Sequence, residues 1–209
     1  MRDRIEAAVV LSGGQGLRLK PITEDMPKGM IIIGGKPLLE WIIEWLRVNK
    51  IKNIVIGVAY KKEKITEYFG NGSGFGVNIT YSEHTVEGGT AQGFLWAIKR
   101  YINDELFYAM NGDQITDLKL EDVANFHRRC NPTATLVGIH PRCPYGHIYY
   151  DTLDTVLEFS EKPICHFVYS NSGIYLFHRK ILQYIPESGE IENTTFPLLA
   201  QRRELRLYK

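Results

Sequence analysis

Gly13, Gly14 and Gly16 are followed within one stretch by Arg18, Lys20 and Lys28. A glycine backbone has no Cβ to hold a ligand off, so its N–H groups can cradle a phosphate. The cations place fixed positive charge beside that cradle. Further along, Asn111-Gly112-Asp113 closes an apolar run with a carboxylate. Its hard oxygens suit Mg²⁺, which keeps oxygen ligands and bridges to phosphates. Glycines, cations and one carboxylate describe a site for a phosphorylated ligand.

These residues need a scaffold, and the hydrophobic pattern supplies one. Ile5 to Leu11 reads as a buried strand running straight into the glycines. Leu38, Leu39, Ile42, Ile43, Trp45 and Leu46 recur at helical spacing. Strand-like runs at 54–59, 77–82 and 106–110 alternate with helix-like runs at 61–69 and 90–102, and 71–74 is a turn cluster. Such alternation implies βαβ units and a mostly parallel sheet covered on both faces: an α/β, Rossmann-like three-layer sandwich. After Pro132 strands dominate, at 133–139, 147–150, 155–159 and 173–177, with little helix until 179–185. Asp117 is read as a helix-start residue. In open α/β sheets ligands bind beyond the carboxyl ends of the strands. The loops after Leu11, Tyr81 and Met110 are therefore expected to meet in one crevice.

Composition sets the outer limits. The 209 residues suit a single domain over 1–209. A net charge of +1 gives no reason to expect nucleic acid as a partner. No apolar run reaches the roughly 20 residues of a membrane helix, and no signal peptide is apparent, so a cytoplasmic protein is expected. Cys130, Cys143 and Cys165 lack CxxC spacing, so reduced thiols are expected rather than a disulfide or zinc site.

Named phosphate motifs separate cleanly. A Walker A loop fails because Gly34-Gly35-Lys36 is followed by Pro37. The dinucleotide fingerprint fails because Leu19 stands where its third glycine belongs, and it gives the cations no role. A plain glycine turn explains neither the cations nor the prolines behind them. The segment instead resembles the signature of the sugar-1-phosphate nucleotidylyltransferases, GGxGxRLxPxTxxxPKxMxxxxGKPxLE. Gly13, Gly14, Gly16, Arg18, Leu19, Pro21, Thr23, Pro27, Lys28, Met30, Gly35, Lys36, Pro37, Leu39 and Glu40 fill every fixed position, with Leu17 at a site where threonine is usual. Val86 to Gly93 is similar to the family's base-and-sugar loop, and Asn111-Gly112-Asp113 to its NGD. Tyr145-Gly146, Glu161-Lys162-Pro163 and Asn171 to Tyr175 are similar to its sugar-site motifs, in family order.

The resemblance implies a reaction and roles, with 1–113 as the nucleotide-binding part of the catalytic domain and 114–209 as its sugar-phosphate-binding part. A sugar-1-phosphate oxygen attacks the α-phosphorus of a nucleoside triphosphate and pyrophosphate leaves, so positioning and charge neutralisation dominate. Arg18 and Lys28 would hold the phosphates, and Asp113 would be both catalytic and the ligand of Mg²⁺. Leu11, Gly13, Gly14, Gly16, His84, Gly89 and Thr90 would form the nucleotide site, His84 reading the base. Gly146, Glu161, Lys162 and Asn171 would hold the sugar phosphate. The family's second metal-binding aspartate follows a C-terminal strand, about where Leu205 to Lys209 stand, so a chain lacking a C-terminal segment is expected. Spelling of the PKxM and GGKPLLE segments is similar to mannose-1-phosphate guanylyltransferase-like members, favouring GTP and mannose-1-phosphate or a related hexose or heptose. Ala91-Gln92 is similar to the uridylyl and thymidylyl branch, which acts on glucose-1-phosphate. A non-catalytic nucleotide-binding relative, and a sugar-transferring enzyme with a DxD motif that this chain lacks, are the other classes. Self-association into a homo-oligomer is compatible with all of these.

Overall fold

The computed structural model describes residues 4–209. The first half follows the hydrophobic pattern closely. β1 (Ala7–Leu11) leads through the glycine loop and a two-stranded ribbon, β2 (Ile32–Ile33) and β3 (Lys36–Pro37), to α1 (Leu38–Val48). Then come β4 (Asn53–Val58), α2 (Lys62–Phe69), β5 (Asn78–Glu83), α3 (Gly89–Tyr101) and β6 (Leu106–Asn111). The second half holds α4 (Leu120–Cys130), β7 (Ala134–Ile139), β8 (His147–Tyr150), β9 (Val156–Ser160), β10 (Ser170–His178), α5 (Thr195–Gln201) and β11 (Leu205–Tyr208).

Seven strands form one sheet in the order β11-β7-β10-β6-β1-β4-β5. β10 alone runs antiparallel to its neighbours; the β1–β4, β1–β6, β4–β5 and β7–β11 pairs are parallel. Alternation along β1 divides the core. Ala8 and Val10 point to the layer containing α1, α2 and α4, packing in the cluster of Leu39, Ile42, Ile65 and Val123. Ala7 and Val9 point to the layer of α3 and α5, with Phe94, Ile98, Phe196 and Leu199. The three-layer α/β sandwich is thus formed with a mostly parallel sheet. β8 and β9 stand apart as an antiparallel hairpin, and their residues are mostly exposed.

Three expectations need correction. Asp117 does not start a helix: α4 begins at Leu120 after the extended Lys119. The segment expected as a helix over 179–185 is a five-residue 3-10 turn, Arg179–Gln183. Cys143 and Cys165 are not separate thiols. Their Cα atoms lie 6.0 Å apart and their sulfurs are joined as a disulfide, leaving Cys130 free. Spacing could not reveal this pair, because the two cysteines meet through chain pairing around the Arg142–Ile164 bridge.

Candidate active site

The carboxyl ends of β1 and β6 lie side by side, with Leu11 opposite Asn111 in the register. The loops that follow them, and the one after β5, close a cavity of about 270 Å³. Leu11, Gly13, Gly14, Gly16, Lys28, His84, Gly89, Thr90 and Asp113 all line it. That is every expected nucleotide residue, with two of the three expected catalytic ones. Arg18 lines an adjoining space of about 660 Å³ that shares Gly16, Lys28 and Val86 with the first. Alone the inner cavity is smaller than the ~300–1,000 Å³ usual for small-molecule sites; joined to the outer one it is not.

The glycine loop is built for exposed amides. Gly16 sits at φ +63, and Thr23 holds it there by donating from Oγ1 to its carbonyl at 2.9 Å. A Cβ on Gly13 would lie 2.6 Å from the His84 ring, so this glycine clears space for that imidazole. A Cβ on Gly14 would meet nothing within 4 Å, so the fold itself places no steric demand there. Gly13, Gly14, Gln15 and Gly16 donate no backbone hydrogen bond among the described residues. Unspent N–H groups in a loop that lines the cavity suit an anion cradle.

Charge is arranged across that cradle. Lys28 Nζ stands 2.5 Å from Asp113 Oδ2, and Gln114 donates to Asp113 Oδ1 at 2.6 Å. Both members of the ion pair are about one-third exposed. Among the described residues Arg18 has no ion-pair partner, and it is exposed beside the loop. A carboxylate lining that cavity suits a divalent cation, which is commonly held by one or two carboxylates and the substrate's own phosphates.

The opposite wall is acidic, which no motif announced. Glu190 lines the cavity and accepts from the Thr90 amide at 3.2 Å. Glu192 accepts from Thr90 Oγ1 at 2.9 Å, and Gly189 O accepts from the Ala91 amide. The N-terminal amides of α3 are therefore already spent, and a carboxylate there is favoured by the helix dipole. Gly89, at φ +63, has Gly189 and Glu190 packed where a Cβ would be. These acids lie some hundred residues from α3 in sequence, so only the fold reveals them. Gln92 is also engaged: its Oε1 accepts from the Thr85 amide and hydroxyl at 2.8 and 3.0 Å.

His84 is a packed residue as well as a wall. It is closely surrounded by Gly13, Gly57 and Gly93, where side chains would collide with or crowd the ring. Its Nδ1 is buried and without a partner. Burial pushes its pKa below the ordinary histidine value, with the nearby Ser82 backbone opposing the shift, which favours the neutral ring.

The sugar-phosphate set lies outside the cavity. Gly146 and Glu161 are neighbours, since a Cβ on Gly146 would be 3.0 Å from Glu161 Oε2. Lys162 is 3.8 Å from Glu161, and both side chains are well exposed on the far end of the hairpin. Asn171 is held by Gly173 N and the Tyr175 hydroxyl, each at 2.9 Å. Tyr175 in turn reaches Glu192 at 3.5 Å, linking Asn171 to Thr90 through hydrogen bonds.

Residues 7–204 match the family model described as Nucleotidyl transferase. The chain belongs to that family. It is 34% identical over 202 residues to a UTP–glucose-1-phosphate uridylyltransferase of Synechocystis, covering 88% of this chain and 52% of that one. It is 34% identical to a mannose-1-phosphate guanyltransferase of Yarrowia lipolytica, covering 94% and 56%. A D-glycero-alpha-D-manno-heptose 1-phosphate guanylyltransferase of Campylobacter jejuni is 35% identical, with 83% and 76% covered. The chain thus spans about half the length of the first two of these relatives. Among solved structures, HddC from Yersinia pseudotuberculosis aligns with a TM-score of 0.76 at 24% identity, covering 98% of this chain and 90% of that one. The same protein complexed with GMP-PN aligns at 0.71 and 25% identity, covering 90% and 84%.

Proposed function

We propose that this protein transfers a nucleotidyl group from GTP to mannose-1-phosphate or a related hexose or heptose 1-phosphate, releasing pyrophosphate. One observation carries the reading: the cavity that takes in the glycine loop, Lys28 and Asp113 also takes in a second carboxylate, Glu190, at the start of α3. Unspent loop amides and Lys28 line it from the β1 side with Arg18 in the adjoining space, and Glu190 lines it from the start of α3. A triphosphate belongs with the loop amides and cations, which leaves the base to the Glu190 side. The edge of guanine presents an N1–H and an amino group, two donors for one carboxylate. Uracil and thymine present a single donor flanked by carbonyls that Glu190 would repel. The named activities of the Yarrowia and Campylobacter relatives support the same assignment. A uridylyl relative is equally similar, but Gln92, the residue that pointed to that branch, has its carbonyl occupied by Thr85.

The chemistry follows from charge. Both substrates are polyanions, and attack at the α-phosphorus adds negative charge between them. Lys28 sits to neutralise the α-phosphate, and Arg18, with its fork of permanent donors, to hold the departing pyrophosphate. Lys162 grips the phosphate of the attacking sugar while Glu161 and Asn171 accept and donate to its hydroxyls. Mg²⁺ would be held by Asp113, where it would screen phosphate charge. As substrate enters, Lys28 exchanges the Asp113 carboxylate for phosphate. Pyrophosphate release by the intact protein, with GTP, UTP and dTTP each paired with several sugar-1-phosphates, tests the reading. GTP with a manno-configured sugar phosphate is expected to turn over fastest, and Asp113→Ala and Arg18→Ala to slow it. Absence of turnover with every pair would leave a nucleotide-binding relative instead.

A further inference from the structure

Cys143, His147 and Cys165 place their ligand atoms within 4.8 Å of one another, beside the sugar-phosphate lobe and away from the nucleotide cavity. We infer that, with its thiols reduced, this trio is a zinc site that clamps the two loops carrying Gly146 and Glu161-Lys162. Two thiolates and one imidazole are the donor set that zinc takes by preference. Three residues separate Cys143 from His147, which opens β8, while Cys165 comes from the facing segment, so one ion would tie the two together.

The geometry suits the exchange. Cys143 N donates to Pro163 O and Cys165 N to Pro141 O, both at 2.8 Å, around the Arg142–Ile164 bridge. These backbone contacts tie the two segments together independently of the sulfurs, with the two Cα atoms 6.0 Å apart. Two sulfurs on a tetrahedral zinc stand about 3.8 Å apart for Zn–S bonds of ~2.3 Å, a separation reached by rotating the side chains. His140 and His166 lie close by, their rings 5.2 Å apart, with His140 Nδ1 3.1 Å from Cys165 O. One of these imidazoles or a water completes the tetrahedron.

The lobe also needs such a clamp. Phe167, Leu153, Leu157 and Tyr145 are exposed, and from Cys143 to Tyr169 only Cys143 is buried. Apolar burial contributes little there, and small elements without a core are commonly held by a cross-link or a metal. The disulfide serves in an oxidising setting, but in a reducing one it does not persist. A dithiol reductant delivers two electrons to the S–S bond, giving two thiols and its own disulfide. Zinc then binds both sulfurs and releases two protons.

The test scores metal rather than turnover. The full chain, reduced with a dithiol and freed of excess reductant, is titrated with Co²⁺ and then Zn²⁺. One cobalt per chain with a thiolate-to-cobalt charge-transfer band, displaced by zinc, is expected. Cys130→Ser should keep the band, Cys143→Ser and Cys165→Ser should lose it, and His147→Ala should bind at least about tenfold more weakly. His140→Ala and His166→Ala identify the fourth ligand. Reduced wild-type protein, folded by circular dichroism, that develops no such band would overturn the inference. So would a band that survives Cys143→Ser or an affinity unmoved by His147→Ala. None of these outcomes depends on the identity of the nucleotide or sugar.

Discussion

Lys28→Met separates a catalytic lysine from a structural one. Lys28 meets Asp113 at 2.5 Å, but the pair is 36% and 30% exposed, so water screens it and accepts either charge alone. Pairs of that exposure contribute up to about 1 kcal/mol to stability. Asp113 also keeps the Gln114 donor at 2.6 Å, so no uncompensated charge is left buried. Unfolding free energy in urea should therefore fall by no more than about 1 kcal/mol. Loss of a preorganised cation at the reacting phosphate costs more, on the order of 100- to 1,000-fold in kcat. Paired urea melts and pyrophosphate-release kinetics on wild-type and variant protein read both quantities. A variant several kcal/mol less stable with proportionately lower activity would refute the reasoning, as would one with unchanged kcat.

Three other perturbations have definite signs. Gly13→Ala drives a methyl to 2.6 Å from a ring already packed against Gly57 and Gly93, so it should cost about 1–3 kcal/mol and weaken GTP binding by calorimetry. Glu190→Gln removes a charge-assisted contact of about 1.5–3 kcal/mol, so preference for GTP over UTP in kcat/KM should fall about 10- to 150-fold. His127 is buried against Thr135, and desolvation, followed by His178, Lys180 and Arg128, lowers its pKa from 6.5 to about 4. The unfolded chain then takes a proton below pH 6.5 that the folded chain refuses. Stability should be full above pH 6.5 and fall by roughly 3 kcal/mol towards pH 4, and His127→Gln should flatten that limb of the urea series.

The same histidine shows why some of the fold was illegible. Leu120, Val123, Ala124 and His127 form the buried stripe of α4, at helical spacing. Reading His127 as polar breaks that stripe, so the sequence sets the helix start at Asp117 instead of Leu120. The first half presented no such obstacle, because Leu38 to Leu46 and Phe94 to Ile98 are apolar wherever they face the sheet. The glycine loop, Lys28 and Asp113 were legible because their chemistry is local or repeats a family signature. Glu190 and Glu192 were not, since they reach Thr90 only after α5's preceding loop folds back across α3. The Cys143–Cys165 contact was hidden in the same way, created by strand pairing across 22 residues.

A crystal structure of the intact protein with GTP tests the central claim most directly. The account predicts the phosphates on the amides of Gly13 to Gly16, with the α-phosphate within hydrogen-bonding distance of Lys28 Nζ and the guanine edge on Glu190. Phosphates at the α3 end, or a nucleotide bound away from this cavity, would contradict it.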